Sequence, residues 1–310
     1  MFKLTQPTKV EQFVTIFSNL KGFTEYITIC LEESRIFVQG MDNSHVSMFE
    51  INLSDTWFDE YSVENEISIG ISTDTLQKIL STRKQQHGIM FKDITDEKLT
   101  ISLFDITNTE TKKKIYPKEF TISLVDLDIE EMHVPEQDHD VDIEFQSKNL
   151  KSLLDEIVLF NDTLSFTCDD DEVVFKCKND TCTFNANIPT DQLSYFSYRE
   201  APNLSFSVKY LHMFLQFNKL DNNVWLHINE NAPLRCKYLL DTEDNNENNQ
   251  ETNNDDDDND NDDDDDEDQK HIASSSYDEE KCESDDEEIE LPKSKNTVTF
   301  YLAPKMSDNE

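Results

Sequence analysis

The side chains of this 310-residue chain best equipped for nucleophilic or metal chemistry are six cysteines and a few histidines. Cys30, Cys168, Cys177, Cys182, Cys236 and Cys282 fall at no Cys-x-x-Cys spacing, which argues against a zinc knuckle or a redox pair. His133 and His139 stand without a cysteine or carboxylate at ligand spacing on a rigid element, so no metal site is expected. Four glycines leave no phosphate-cradling loop, and no nucleophile stands beside a base; neither an enzyme nor a cofactor is expected. What remain are three short strings: 39–47 (QGMDNSHVS), 126–137 (DLDIEEMHVPEQ) and 301–305 (YLAPK). Each joins a few exposable apolar side chains to a turn former. Their chemistry is docking, and they act together only if folding gathers them into one patch.

The elements that would gather them follow from composition and periodicity. The chain carries a net charge of −40, and residues 241–290 alone hold 26 Asp and Glu against Lys270 and Lys281, a net of −24. The remainder is moderately acidic and globular in composition. Unpaired cysteines and a start without a long apolar run predict a reducing, intracellular setting. No stretch approaches 18 apolar residues, so no membrane span is expected.

Apolar residues at helical spacing (Val10, Phe13, Val14, Phe17; Leu76, Ile79, Leu80; Leu150, Leu153, Leu154, Ile157; Val208, Leu211, Phe214, Leu215) predict helices over 9–21, 72–84, 147–158 and 208–219. Between them 99–103, 120–124, 141–145 and 204–208 alternate like half-buried strands, giving an α+β chain rich in strand. The first and third helices lie about 138 residues apart and the second and fourth about 135, which predicts one architecture used twice. The halves are 1–125 and 140–310, joined by 126–139, with the acidic tract at about 241–296 inserted late in the second.

Those four helices carry Lys9, Lys21, Lys78, Arg83, Lys84, Lys148, Lys151, Lys209 and Lys219 against Glu11, Asp74, Asp155 and Glu156, a net of +5 in a strongly acidic chain. Polar faces of that charge on one surface suit a polyanion held without sequence reading. Phe13, Phe17 and Phe214 fall on the apolar stripes and belong to the core rather than to a base-stacking platform.

In order and separation the three strings resemble the sliding clamp of eukaryotic-type DNA replication, the proliferating cell nuclear antigen family. The likeness extends through Trp57-Phe58-Asp59-Glu60-Tyr61, Leu76-Gln77-Lys78-Ile79-Leu80, Val208-Lys209-Tyr210-Leu211 and Ala232-Pro233-Leu234, and covers about residues 1–240 and 297–306. The resemblance implies a DNA-clamp fold of two similar domains and three chains in a head-to-tail ring. Helices would line a hole for duplex DNA and sheets form the outer wall. It implies a processivity factor that tethers a polymerase and repair proteins, loaded by an ATP-driven clamp loader. The expected compartment is the nucleus, or a viral or other cytoplasmic replication site.

Residue by residue, the resemblance puts Lys21, Lys78, Arg83, Lys84, Lys148, Lys151, Lys209 and Lys219 toward DNA, together with the stretch 62–81. A pocket for the short helical turn of a PIP-box partner would comprise Met41, His45, Val46, Met48, Met132, Val134, Pro135, Pro233, Tyr301, Leu302, Ala303 and Pro304. The subunit contact would pair Phe120, Ile122 and Leu124 with Cys182, Phe184 and Ile188, using two strand edges that would otherwise be open. Asp170 aligns with a lysine that many relatives modify with ubiquitin, so that signal is not expected here. The tract at 241–296 cannot bury a core and is expected to be disordered, as a tolerated loop or a charged tuner of association. Two other readings use the same features: a checkpoint-type clamp subunit of a heterotrimer, and an acidic histone chaperone or DNA mimic.

Overall fold

The computed structural model describes residues 1–95, 97–107, 116–127, 132–134, 138–200, 202–240 and 294–305. The first half runs β1 (Phe2–Leu4), α1 (Pro7–Asn19), β2 (Tyr26–Leu31), β3 (Arg35–Met41), β4 (Ser47–Ser54), β5 (Glu60–Tyr61), β6 (Ile67–Ser72), α2 (Thr73–Ser81), β7 (His87–Lys92), β8 (Lys98–Asp105), β9 (Lys118–Ser123). The second runs β10 (Val141–Gln146), α3 (Ser147–Ile157), β11 (Thr163–Cys168), β12 (Glu172–Lys178), β13 (Thr183–Pro189), β14 (Tyr195–Tyr198), β15 (Leu204–Ser207), α4 (Val208–Phe214), β16 (Asn223–Ile228), β17 (Leu234–Leu239), β18 (Thr297–Leu302). Helices and strands thus recur in one order twice. The four alternating segments expected as strands lie in β8, β9, β10 and β15.

Three antiparallel sheets result: β5-β1-β7-β8-β9, β13-β12-β11-β15, and a nine-stranded sheet β14-β10-β16-β17-β18-β4-β3-β2-β6. The last joins the halves, because β18 pairs with β17 on one side and with β4 on the other, with Phe300 opposite Phe49. Alternation sends Val298, Phe300 and Leu302 inward with Phe49, Ile51 and Leu53, all 0% exposed. Phe300 is the hub of an aromatic cluster, its ring centroid 5.4 Å from Phe23, 4.8 Å from Phe214 and 4.7 Å from Phe217.

The helices form a second layer in which α2 packs on α1, α1 on the turn Leu215–Phe217 that follows α4, and α4 on α3. Buried Gln12 of α1 donates to the carbonyl of Leu220 at 2.8 Å, and Asn19 donates to that of Gln216 at 3.1 Å, tying the two halves at this layer as well. α4 is shorter than the expected 208–219. After Phe214 the backbone tightens into a 3₁₀ turn over Leu215–Phe217, which brings both Leu215 and Phe217 into the seam, where a continued α-helix would rotate one of them out. Among the described residues no helix is long and apolar enough to cross a membrane.

Phe300→Ala removes the hub of the seam. It is expected to cost about 3–5 kcal/mol in a chemical denaturation series, within the usual range for a buried aromatic. A loss below about 1 kcal/mol would show that the cluster does not hold the halves together.

Candidate functional site

The turn between β3 and β4 is built on one carboxylate. Asp42 accepts from the backbone N–H of Ser44, Val46 and Ser47 at 2.9, 2.9 and 2.7 Å, and from the Tyr210 hydroxyl at 2.8 Å. Burial alone would raise its pKa, but these donors outweigh it and hold Asp42 down at about 2. His45 closes the turn with φ 55°, in the left-handed region. Because Tyr210 belongs to α4, the turn is locked to the second half of the chain.

Beside this turn lies a cavity of about 380 Å³ lined by Met41, His45, Val46, Ser47, Met48, Met132, His133, Val134, His139, Ala232, Pro233, Arg235, Tyr301 and Ala303. It unites nine of the twelve pocket residues named from sequence. Leu302 is not among them, and that expectation is corrected. Strand alternation puts Tyr301 and Ala303 on the groove face, and Leu302 goes into the core at 0% exposure. Pro304 also lies outside the lining, and Pro135 lies outside the described residues. Sequence reasoning did not assign His139 or Arg235 to the pocket; Ser47, His133 and Ala232 had been noted only as parts of strings.

The connecting segment is fastened at several points. Val125 donates to the carbonyl of Gly70 at 2.9 Å, and a Cβ on Gly70 would stand 2.0 Å from the Val125 oxygen, so only glycine allows this approach. Further on, the Gln39 side chain pairs with the Met132 backbone as a strand would: its Nε2 donates to the carbonyl at 2.7 Å and its Oε1 accepts the N–H at 2.8 Å. At the far end Asn229 donates to the Asp138 carbonyl at 2.8 Å, and Asp140 to that of Ile228 at 2.9 Å.

His139 meets Asp142 and His227, whose ligand atoms lie within 4.8 Å of one another. His133 does not join them. The geometry suits a hydrogen-bonded stack better than a cation. His227 Nδ1 is 2.5 Å from Asp142 Oδ1, the His139 and His227 rings stack at 4.6 Å, and Arg235 Nη1 donates toward His139 Nε2 at 3.5 Å. In-plane lone pairs of stacked rings do not converge, and a guanidinium at that distance opposes a metal ion.

On the helix layer the lysines are partly spent on carboxylates of the same layer. Lys21 and Lys78 both grip Asp74 at 2.5 Å and hold it below the usual carboxylate range, and Lys151 grips Asp155 at 2.6 Å. Asp155 also meets His212 of α4 at 2.8 Å. Arg83 differs from its expected place on an open cationic face: its side chain is 8% exposed, paired with Glu11 and donating to the carbonyls of Lys84 and Gln85. Among the described residues Lys84, Lys148, Lys209 and Lys219 are exposed and make no ion pair within the chain.

β9 and β13 are open sheet edges. Along them Phe120, Ile122 and Leu124, and Phe184, Ala186 and Ile188, are half-buried against their own sheets, and Cys182 is exposed. Next to β13, Phe160 stacks on Phe184 at 5.5 Å, and Leu159 is 78% exposed. These two were also missed from sequence, since they extend the apolar stripe of α3 past its end.

A twice-repeated unit with its helices in one layer, its sheets in the other and a peptide-sized groove at the junction defines the DNA-clamp class. Family models agree in both halves: the proliferating cell nuclear antigen N-terminal domain matches residues 5–132 and its C-terminal domain residues 133–246. The chain belongs to the proliferating cell nuclear antigen family, the non-enzymatic sliding clamps of DNA replication. It is 24% identical over 225 residues to proliferating cell nuclear antigen 2 of Drosophila melanogaster, covering 72% of this chain and 86% of that one. To the Caenorhabditis elegans proliferating cell nuclear antigen it is 24% identical over 216 residues, 67% and 81% of the two chains. The crystal structure of the Entamoeba histolytica proliferating cellular nuclear antigen shares the fold, with a TM-score of 0.72 at 20% identity over 98% of each chain.

The connector's fastening is open to direct measurement. Gly70→Ala is expected to push Val125 away, speeding exchange of its amide about tenfold or more and exposing the connector to limited proteolysis. Unchanged exchange at Val125 would mean that the contact with Gly70 does not hold the segment.

Proposed function

We propose that the chain closes into a homotrimeric ring around duplex DNA and docks PIP-box proteins, a replicative polymerase among them, in the groove beside the 42–47 turn. The observation that carries this reading is the contrast between one sealed seam and two open edges of matching chemistry. At the seam Phe300 faces Phe49 with both rings fully buried. In the repeat, β9 holds the place of β18, and β13 that of β4. Transposing the seam onto the edges sets Phe120 of one copy against Phe184 of the next and covers both half-buried rows, head to tail. Leu159 and Phe160 extend the same apolar surface. Closure at three copies, and an ATP-driven loader to open the ring, follow from the family resemblance.

The remaining assignments belong to the same proposal. The halves are 1–125 and 140–310, with 126–139 as connector and the acidic insertion within the second half. Exposed Lys84, Lys148, Lys209 and Lys219 are the first phosphate contacts, while Lys21, Lys78 and Lys151 reach DNA only by sharing with Asp74 and Asp155. A ring retains DNA by topology, so a lining that neutralises part of its own charge favours sliding over tight binding. The site of action is the nucleus or another DNA-replication compartment. The groove's three methionines, with Pro233 and two alanines, suit an aliphatic-plus-aromatic helical turn.

Light scattering of the native protein should give a mass near three times 36.2 kDa. Phe120→Ala should shift it toward one chain, and an intact ring in that variant would place the contact elsewhere. Asp74→Asn releases Lys21 and Lys78 together. It should steepen the salt dependence of DNA retention and slow diffusion of the loaded ring; an unchanged salt slope would remove this face from the DNA path.

A further inference from the structure

One row of outward side chains crosses six strands in register: Asp142, His227, Arg235, Tyr301, Met48 and Met41. Its Tyr301–Met41 half lines the groove, and its other half is charged. Arg235 stands at the junction, its guanidinium 5.5 Å from the Tyr301 ring centroid. The nearest carboxylate in the row, Asp142, is engaged by His227 at 2.5 Å. Burial, then His227 and Arg235, push the His139 pKa down to about 4 against the opposing pull of Asp142, so this ring is a neutral acceptor rather than a further cation. Arg235 makes no ion pair among the described residues, and its Nε–H is buried without an acceptor. Lys237, half-buried two residues along the same face of β17, adds a second positive charge, and Glu50, in the row of Lys237 and Thr299, is the carboxylate that offsets Lys237.

A partly desolvated guanidinium without a carboxylate, beside a like charge, is an unfavourable arrangement unless a ligand completes it. In a chain of net −40 it stands out from the surface around it. We propose that Arg235 is a carboxylate-binding point of the docking groove, so that the groove selects partner peptides carrying an Asp or Glu beside their apolar anchors. The guanidinium presents its free N–H edge to that carboxylate, while Tyr301 and His139 fix its plane. This inference rests on the peptide-docking reading and adds to it a selectivity that apolar lining cannot supply.

The test uses labelled peptides with one aliphatic and two aromatic anchors at PIP-box spacing: a parent without acidic residues, and paired versions with Asp or Asn at each non-anchor position. Binding by fluorescence polarisation is measured on the full chain and on Arg235→Met, which keeps the apolar stem. Binding of the parent peptide by both proteins shows that the variant is folded, and the readout is the ratio of Asp to Asn affinity taken within each protein, which does not depend on parent affinity staying the same. At one or more positions Asp should bind the unaltered chain about tenfold more tightly than Asn, as a charge-assisted hydrogen bond supplies. That preference should vanish in Arg235→Met and return in part in Arg235→Lys. No Asp-over-Asn preference at any position, or a preference that survives Arg235→Met, overturns the inference while leaving docking intact. A parent peptide that does not bind the unaltered chain overturns the docking reading and this inference with it.

Discussion

The pairing of β18 with β4 is the constraint on which the other features depend. It joins four strands of one half to five of the other, so that one sheet spans both. Inside, it brings Phe23 and Phe49 from the first half against Phe214, Phe217 and Phe300 from the second. Outside, it sets Tyr301 beside Met48, and Ala303 donates to the Val46 carbonyl at 3.1 Å, so the groove exists only where the seam exists. The strand responsible follows residues 241–293, which lie outside the described residues. Its docking does not need a short loop, because β17 and β4 flank it on both sides, Leu240 donates to the Asn296 carbonyl at 3.0 Å, and Asn296 accepts the Ser54 N–H at 2.6 Å.

In the proposed ring the same geometry would be used a second time, between copies. Two edges that repeat the chemistry of a buried seam, left half-exposed, would recruit any compatible strand. Head-to-tail pairing uses both at once, whereas a symmetric dimer would cover one kind of edge and leave the other. The helix layer poses the opposite problem, since attraction to phosphate that is too strong would immobilise the ring. In the proposed ring, Asp74, held by Lys21 and Lys78, and Asp155, held by Lys151, would moderate it without altering the fold.

How much of this was legible in the sequence depends on how local the signal is. The helix stripes and alternating strands report on neighbours three, four or two residues away, and the four helices and four named strands lie where their periods put them. The shortening of α4 did not show, because it is imposed by Phe300, far along the chain. Transferring the string 301–305 whole took Leu302 into the pocket, although period-two alternation within that string already separates it from Tyr301 and Ala303. Arg83 looked like any helix-face cation until Glu11 and two carbonyls came to it from the fold. Arg235 and His139 carried no signal, since their setting is a cross-strand row assembled from β10, β16, β17 and β18.

The connector shows why those non-local contacts matter for binding. A segment with few apolar residues, spanning two halves, would ordinarily lose more conformational entropy on ordering than it gains in contacts. Its described residues are held by the body of the protein: Gly70 admits the Val125 backbone, the Gln39 side chain pairs with Met132 as a strand would, and the His139 imidazole stacks on that of His227. Each anchor lies on an element already fixed by the seam or by the sheet beside it. The wall formed by Met132, His133 and Val134 is therefore set before a ligand arrives, and a short peptide need not supply the free energy to order it. In the proposed docking, that would let a groove of about 380 Å³ hold a partner of a few side chains, with Arg235 on its wall supplying the selectivity.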